Sequence, residues 1–183
     1  MRHPHWDYYL TVLDDLDKAS RFVEFARENF RTYSVEFVRI ILSVGSEIDV
    51  VAKLLSEQIG SPRPPQNINE YREIILNRFP SFPAIEISAP KYTLTFIPWQ
   101  AWQRNENPAW WKTYNKVKHE RNAHYADACL ENALLSCSGL CVLLGYLYAE
   151  FFANNTIPRP LLFFDDRYKH KPFVMTRTSF KLP

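Results

Sequence analysis

The sequence has only four glycines in 183 residues, which excludes several common nucleotide-binding motifs. A phosphate-binding loop needs closely spaced glycines, because the backbone must approach the phosphate. The glycines here form no such loop: Gly45, Gly60, Gly139 and Gly145. The Gly-x-Ser-x-Gly motif of serine hydrolases and the His-Glu-x-x-His motif of zinc proteases are also absent. Enzymes that depend on these motifs are therefore excluded.

Cysteine is scarce as well, and its three copies lie in one apolar stretch: Cys129, Cys137 and Cys141. An odd number without a Cys-x-x-Cys spacing argues against a disulfide framework and against a zinc site. We therefore expect buried thiols in a reducing compartment, which favours a cytoplasmic protein. We expect no metal and no cofactor.

Long apolar runs are limited to residues 133–149, which contain no charged side chain over 17 positions. A transmembrane helix needs about 20 such residues, so this stretch is at the short limit. We interpret it as the central buried helix of a bundle and expect no membrane association, with a membrane span as the alternative. Aspartates interrupt the N-terminal segment at Asp7, Asp14, Asp15 and Asp17, which excludes a signal-peptide profile.

Neither sign of charge dominates the chain. It has 22 lysines and arginines against 20 aspartates and glutamates, for a net charge of +2. Such a balance does not by itself indicate a nucleic-acid partner, so any basic character must be local. Hydrophobic residues make up 46% of the chain and aromatic residues 15% of it, so the chain can bury a core. Its length favours a single domain spanning residues 1–183.

The spacing of apolar residues predicts a mainly α protein, an up-and-down helical bundle of four to five helices with a small β-hairpin insertion. Residues 85–88 and 92–96 alternate with period two, which predicts the hairpin inside an insertion of about 80–98. The predicted helices cover residues 6–29, 34–60, 67–79, 107–125 and 127–152.

A C-terminal tail of about 154–183 loses the helical spacing. Residues 161–164 within it are apolar and must be covered. We expect the bundle or a second subunit to cover them, so a protein partner or a homodimer is one prediction.

Residues 110–125 concentrate cationic, imidazole, amide and aromatic side chains. Pro108 suits the first turn of a helix, and Asn107 can cap its free N–H groups. Helical spacing then places an apolar stripe beside a polar one. The first stripe is Trp110, Tyr114, Val117 and Arg121, and the second is Trp111, Asn115, Lys118 and Asn122.

This polar stripe predicts a site for RNA or phosphate. Lys118 and Arg121 would neutralise phosphate, and Asn115 and Asn122 would donate amide hydrogen bonds, while Trp111 offers a stacking face. His119 and His124 titrate near neutral pH and could exchange a proton with a ribose hydroxyl, although His119 points away from Arg121 on a straight helix. The alternative is that these charges solvate the last turns of the helix and that His124 has a structural role in the turn.

Glu47 lies on the shoulder of the apolar stripe of the second predicted helix. A buried carboxylate needs a cation or hydrogen-bond donors. Three interpretations are open: a salt bridge to a neighbouring helix, a place in the substrate-binding site beside Lys118 or Arg121, or a position at the surface.

The pattern Tyr114-Asn115-x-x-Lys118-His119-x-Arg121, between two apolar helices and a third, resembles the HEPN-like helical bundles of bacteria. The resemblance covers about residues 8–58 and 108–152. It implies a bundle that is frequently dimeric, often encoded near defence or toxin–antitoxin systems, with active members that are metal-independent ribonucleases. The Arg and His roles of that family transfer to Arg121 and His124, which two residues separate here against four to six in the family.

Two classes of function therefore stay open. The first is an RNA-binding protein or metal-independent ribonuclease with Arg121, His124 and His119 as catalytic candidates. The second is a non-catalytic interaction or scaffold module, as inactive HEPN-like members are.

Overall fold

A computed structural model describes residues 3–149 and Val174–Met175 of the chain. Within residues 3–149 it forms five α-helices and two short strands. The helices are α1 (Pro4–Ala19), α2 (Val35–Gln58), α3 (Ile68–Arg78), α4 (Ala109–His124) and α5 (Leu130–Leu147). The strands are β1 (Ile87–Ala89) and β2 (Leu94–Phe96). The prediction of a mainly helical bundle with a small hairpin is confirmed.

Helix α5 is the centre of the bundle. It packs most extensively against α2 and also contacts α1 and α4. Its mean hydropathy of 1.5 and its length would allow it to cross a membrane, but 78% of it is buried inside the protein. An apolar helix that the other helices cover is typical of a core helix. The predicted end of this helix at Phe152 lies outside the described residues.

Local sequence signals determine where α2 and α3 begin. The Ser34 hydroxyl accepts a hydrogen bond from the Phe37 N–H at 3.1 Å. The Asn67 side chain accepts from the N–H groups of Asn69 and Glu70. Each cap satisfies helix N–H groups that have no partner within the helix. Both predicted starts are confirmed.

The first predicted helix is too long, because α1 ends at Ala19 and not near residue 29. The Ser20 hydroxyl donates to the Asp17 carbonyl at 2.7 Å, which is a bond that competes with continued helix. Beyond it, Phe25 is buried against the ring of Tyr92, with ring centroids 4.9 Å apart. A tertiary contact therefore satisfies the apolar spacing that predicted more helix.

Two other predicted helix starts are wrong. Asn107 does not cap α4, which begins after Pro108 without a side-chain cap. The amide oxygen of Asn107 instead accepts a hydrogen bond from Arg72 at 3.5 Å. Helix α5 begins at Leu130 and not at Asp127, because its first N–H groups bond to a distant loop. The N–H of Leu130 donates to the Thr32 carbonyl at 2.8 Å, so the chain before α2 caps α5.

The hairpin is confirmed, and a third strand joins it. Strands β1 and β2 pair antiparallel, with Ile87 opposite Phe96. The backbone of Val174–Met175 (β3) pairs antiparallel with the other edge of β1, which gives the strand order β2-β1-β3. The sequence does not predict this strand. The remainder of the predicted tail, with the apolar residues 161–164, lies outside the described residues.

Aromatic side chains of α4 lie directly on glycines of its two neighbours. A Cβ atom at Gly45 of α2 would overlap the ring of Tyr114, and one at Gly139 of α5 would lie 3.0 Å from the ring of Trp110. The ring of Trp99 reaches the same place on α5 and donates to the Gly139 carbonyl at 3.1 Å. Close packing of this kind allows little change in volume.

We expect Gly45→Ala to destabilise the protein by about 1–3 kcal/mol, the usual cost of overpacking a core. The added methyl group displaces the Tyr114 ring, which Trp111 holds from the side at a centroid distance of 5.2 Å. Urea denaturation measures the loss. The neighbouring exposed Ser46→Ala is the matched control and should stay within about 0.5 kcal/mol of the original. Equal stability of the two variants would contradict the contact.

All three cysteines are free and buried. Burial raises the pKa of the Cys141 thiol to about 12 and raises the pKa of the Cys137 thiol well above its ordinary value. The thiolate is the reactive form, so both groups stay protonated and inert at neutral pH.

We expect iodoacetamide at pH 8 to leave Cys137 and Cys141 unmodified in the folded protein, because a raised pKa keeps the thiolate fraction negligible below that pKa. Mass spectrometry of the digested protein measures the modification. Labelling in urea is the positive control, since it exposes both thiols. Rapid labelling of either residue without denaturant would show that the α5 core opens.

Candidate functional site

An open groove of about 690 Å³ lies between α2, the start of α3 and α4. Its walls are mainly polar. Helix α2 contributes Ser46 and Asp49, and the loop before α3 contributes Gln66 and Asn67. Helix α4 and the residue before its cap contribute the longest wall: Asn107, Trp111, Lys112, Tyr114, Asn115, Lys116 and Lys118.

The groove is positively charged, because three ammonium groups line it against a single carboxylate. That carboxylate, Asp49, already has two partners. Lys53 bonds to it at 2.7 Å, and the Tyr71 hydroxyl donates to it at 2.6 Å. Burial raises the pKa of Tyr71 well above its ordinary value, and the hydrogen bond to the Asp49 carboxylate raises it further, so the hydroxyl keeps its proton. Asp49 therefore cancels little of the lysine charge.

The amino-acid pattern of α4 determines which lysines line the groove. Trp110, Tyr114 and Val117 form the buried side of the helix. Lys112 and Lys116, one turn apart, are exposed together on the polar side. The ammonium of Lys118 lies 5.5 Å from the centre of the Tyr114 ring, an attractive arrangement that keeps this charge close to the groove.

Three of the eight site residues predicted from the sequence line the groove: Trp111, Asn115 and Lys118. Trp111 is only 7% exposed, so most of its ring face is covered by the core and offers a base little to stack on. The amide nitrogen of Asn115 donates to the Trp111 carbonyl at 2.9 Å. One of the two amide hydrogens predicted to bind a ligand at this position is therefore already in use.

None of the residues from His119 to His124, which flank a kink in α4, lines this groove. Glu120 has the non-helical dihedral angles φ −135° and ψ 49°. The apolar stripe therefore ends at Val117, and Arg121, predicted on that stripe, is exposed. A second hollow of about 520 Å³ spans the kink and is lined by Leu42, Val117, Lys118, His119, Glu120, Arg121, Asn122 and Ala123.

His124 lines neither hollow, although it has close polar contacts. Its Nδ1 lies 3.1 Å from Oδ2 of Asp127, and its Nε2 lies 4.0 Å from Glu120. Lys116 reaches the same carboxylate oxygen of Asp127 at 3.6 Å. The structure thus places Arg121 and His119 in the second hollow and holds His124 at the turn before α5.

Glu47 pairs between helices, and its partner belongs to α1. Its Oε1 lies 2.6 Å from Nδ1 of His5, and the exposed fractions of the two side chains are 15% and 23%. Glu47 lines neither hollow. The interpretation of Glu47 as one half of a pair with a neighbouring helix is confirmed. Glu47 does not line a hollow with Lys118 or Arg121, which was the second interpretation.

The prediction missed several residues of the groove. Lys112 and Lys116 carried a usable signal, because they lie one turn apart on the polar side of α4. Gln66 and Asn67 carried none, since a loop residue shows no periodicity. Within residues 3–149, no group of three or more His, Cys, Asp or Glu side chains could hold a metal ion.

No protein-family model, no curated protein and no solved structure matches this chain.

The Glu47–His5 pair generates a stability prediction. We expect Glu47→Gln to lower the free energy of unfolding by about 1–2 kcal/mol, because the hydrogen bond between these two mostly buried side chains loses its carboxyl acceptor. Thermal denaturation measures the change. The exposed Glu57→Gln on the same helix is the matched control. If both variants melt together, the pair contributes nothing to the attachment of α1.

Proposed function

We propose that this protein binds RNA through the groove between α2, α3 and α4. The observation that carries the proposal is the alignment of Lys112, Lys116 and Lys118 along one open polar groove. Lysine is a point charge that binds phosphate without demanding a fixed geometry. A row of such charges suits the repeating phosphates of a nucleic-acid backbone.

The chemistry of the groove favours recognition of the backbone over recognition of bases. The Trp111 ring is almost covered, so stacking contributes little. The side-chain amides of Gln66 and Asn67 line the loop end of the groove, but Gln66 donates to the Pro64 carbonyl and Asn67 caps α3, so the lysines are the main groups for a bound backbone. We therefore expect weak dependence on base sequence and strong dependence on salt.

Binding is better supported than cleavage. Metal-free cleavage of RNA needs a base or acid and a cation that act on the same phosphate. Arg121 lines the second hollow and His124 does not, while Asp127 engages the imidazole of His124. The ribonuclease role, the HEPN-like relationship and a place in a toxin–antitoxin system stay hypotheses from the sequence. The binding experiment tests the first of them as well, because the same samples report whether the RNA stays intact.

An interaction module is the second candidate function. Two apolar side chains before and at the start of α2 are exposed, Tyr33 by 53% and Val35 by 66%. The ring of Tyr33 contacts Tyr125 at a centroid distance of 5.8 Å, so the apolar surface extends towards the end of α4. Exposed apolar groups that lie together favour a protein partner.

We expect Lys116→Ala and Lys118→Ala each to weaken binding of a single-stranded RNA and to reduce the slope of log affinity against log salt by about 0.7. A variant that makes one phosphate contact fewer releases about 0.7 fewer counterions from a single strand when it binds, so the slope falls by that amount. Fluorescence anisotropy of a labelled oligonucleotide, measured from low to moderate salt, gives both quantities. Gel analysis of the same samples reports cleavage.

Lys18→Ala is the matched control, because it removes the same charge from the exposed side of α1, away from the groove. It should leave the slope unchanged. Equal effects of all three variants would mean that only the overall charge matters, and no binding by the unaltered protein would reject the proposal. Cleavage that His124→Ala abolishes would favour the ribonuclease hypothesis instead.

A further inference from the structure

The groove and the second hollow lie along the same pair of helices. Lys118 lines both. On the α2 side, Leu42 borders the second hollow, and Ser46 and Asp49 border the groove. Positions 42, 46 and 49 share one stripe of a helix. The two hollows therefore follow each other along one furrow between α2 and α4.

The furrow has a direction and a length. Along the furrow, α2 runs backwards in the sequence from Asp49 to Leu42, while the facing part of α4 runs forwards from Trp111 to Asn122. At 1.5 Å per helical residue, this part of α4 is about 17 Å long along its path, which bends at Glu120. At the rise of one strand of a DNA double helix, about 3.4 Å per phosphate, this length corresponds to about five nucleotides.

The furrow is narrow, because α2 and α4 touch at its floor. The ring of Tyr114, which lines the groove, lies against the backbone of Gly45. Helices in such contact have axes about 8–10 Å apart. A space of that width above the two helices suits a single strand.

The cations of the furrow belong to one wall. Lys112, Lys116, Lys118 and Arg121 all come from α4, whereas the α2 stripe supplies an apolar, a hydroxyl and a carboxylate side chain. A single phosphodiester backbone could follow the α4 wall, on which Glu120 is the one carboxylate among the residues that line the two hollows. The two strands of a duplex would place the second backbone against Asp49 or outside the furrow.

We propose that the ligand is single-stranded RNA of about five nucleotides or more, lying along the α2–α4 furrow, and that Arg121 and Asn122 bind its backbone beyond the kink. This inference rests on the proposed function. It assigns Arg121 to binding, not to chemistry, and it adds the second hollow to the site.

The test measures anisotropy with uridine oligomers of three, six and nine nucleotides, a thymidine hexamer and a six-base-pair RNA duplex. We expect affinity to rise steeply from three to six nucleotides and little from six to nine. We expect the single-stranded hexamer to bind more tightly than the duplex. Comparison of the uridine and thymidine hexamers shows whether the 2′-hydroxyl adds to the phosphodiester contacts that both share.

Variants separate the two ends of the furrow. Arg121→Ala should reduce the salt slope of the hexamer by about 0.7 and leave the trimer unchanged, since the trimer occupies the lysine-rich groove. Lys116→Ala should weaken both oligomers. Arg21→Ala, which removes an arginine outside both hollows, is the matched control and should change neither.

The outcomes distinguish the inference from the function beneath it. Binding of the trimer and hexamer with equal affinity, tighter binding of the duplex, or a hexamer slope that Arg121→Ala does not change would overturn the inference and leave RNA binding in place. Failure of every oligonucleotide to bind would overturn both. Circular dichroism of each variant confirms that the fold is intact.

Discussion

The position of α4 depends on two contacts between aromatic rings and glycines. The ring of Tyr114 lies on Gly45 of α2, and the ring of Trp110 lies on Gly139 of α5. A side chain at either glycine would need the space that the ring fills, so these contacts let the helices approach closely. With one face of α4 anchored in this way, its other faces carry the lysines along the groove. The same helix thus contributes to the core and supplies the charge of the surface.

The electrostatics of the groove follow from which charges already have partners. Asp49 is held by Lys53 and by the Tyr71 hydroxyl, so its negative charge is compensated where α2 meets α3. Among the groove lysines, Lys116 lies 3.6 Å from the carboxylate of Asp127. The groove is open, and salt at about 0.1 M screens charges beyond about 10 Å, so its field acts at short range on a bound strand. The kink at Glu120 then changes the direction of the end of α4. Beyond it, Arg121 lines the furrow and His124 contacts Asp127.

Much of the fold was predictable, because the interactions that form most helices are local. Ser34 and Asn67 cap helices a few residues ahead of them in the chain, and apolar spacing marks the sides that enter the core. The errors occur where a distant contact competes with a local preference. Phe25 leaves the helical path to pack against Tyr92, and the Thr32 carbonyl sets the first residue of α5.

The sequence by itself determined that α4 carries an apolar side and a cationic side, because both follow from helical spacing within one segment. Trp111, Asn115 and Lys118 could therefore be assigned to one site in advance. Only the tertiary structure decided that Asp49 and Asn67 face them and that Glu47 does not. Those residues come from separate elements, and their meeting depends on how the helices pack, since side-chain proximity across a bundle has no period in the sequence.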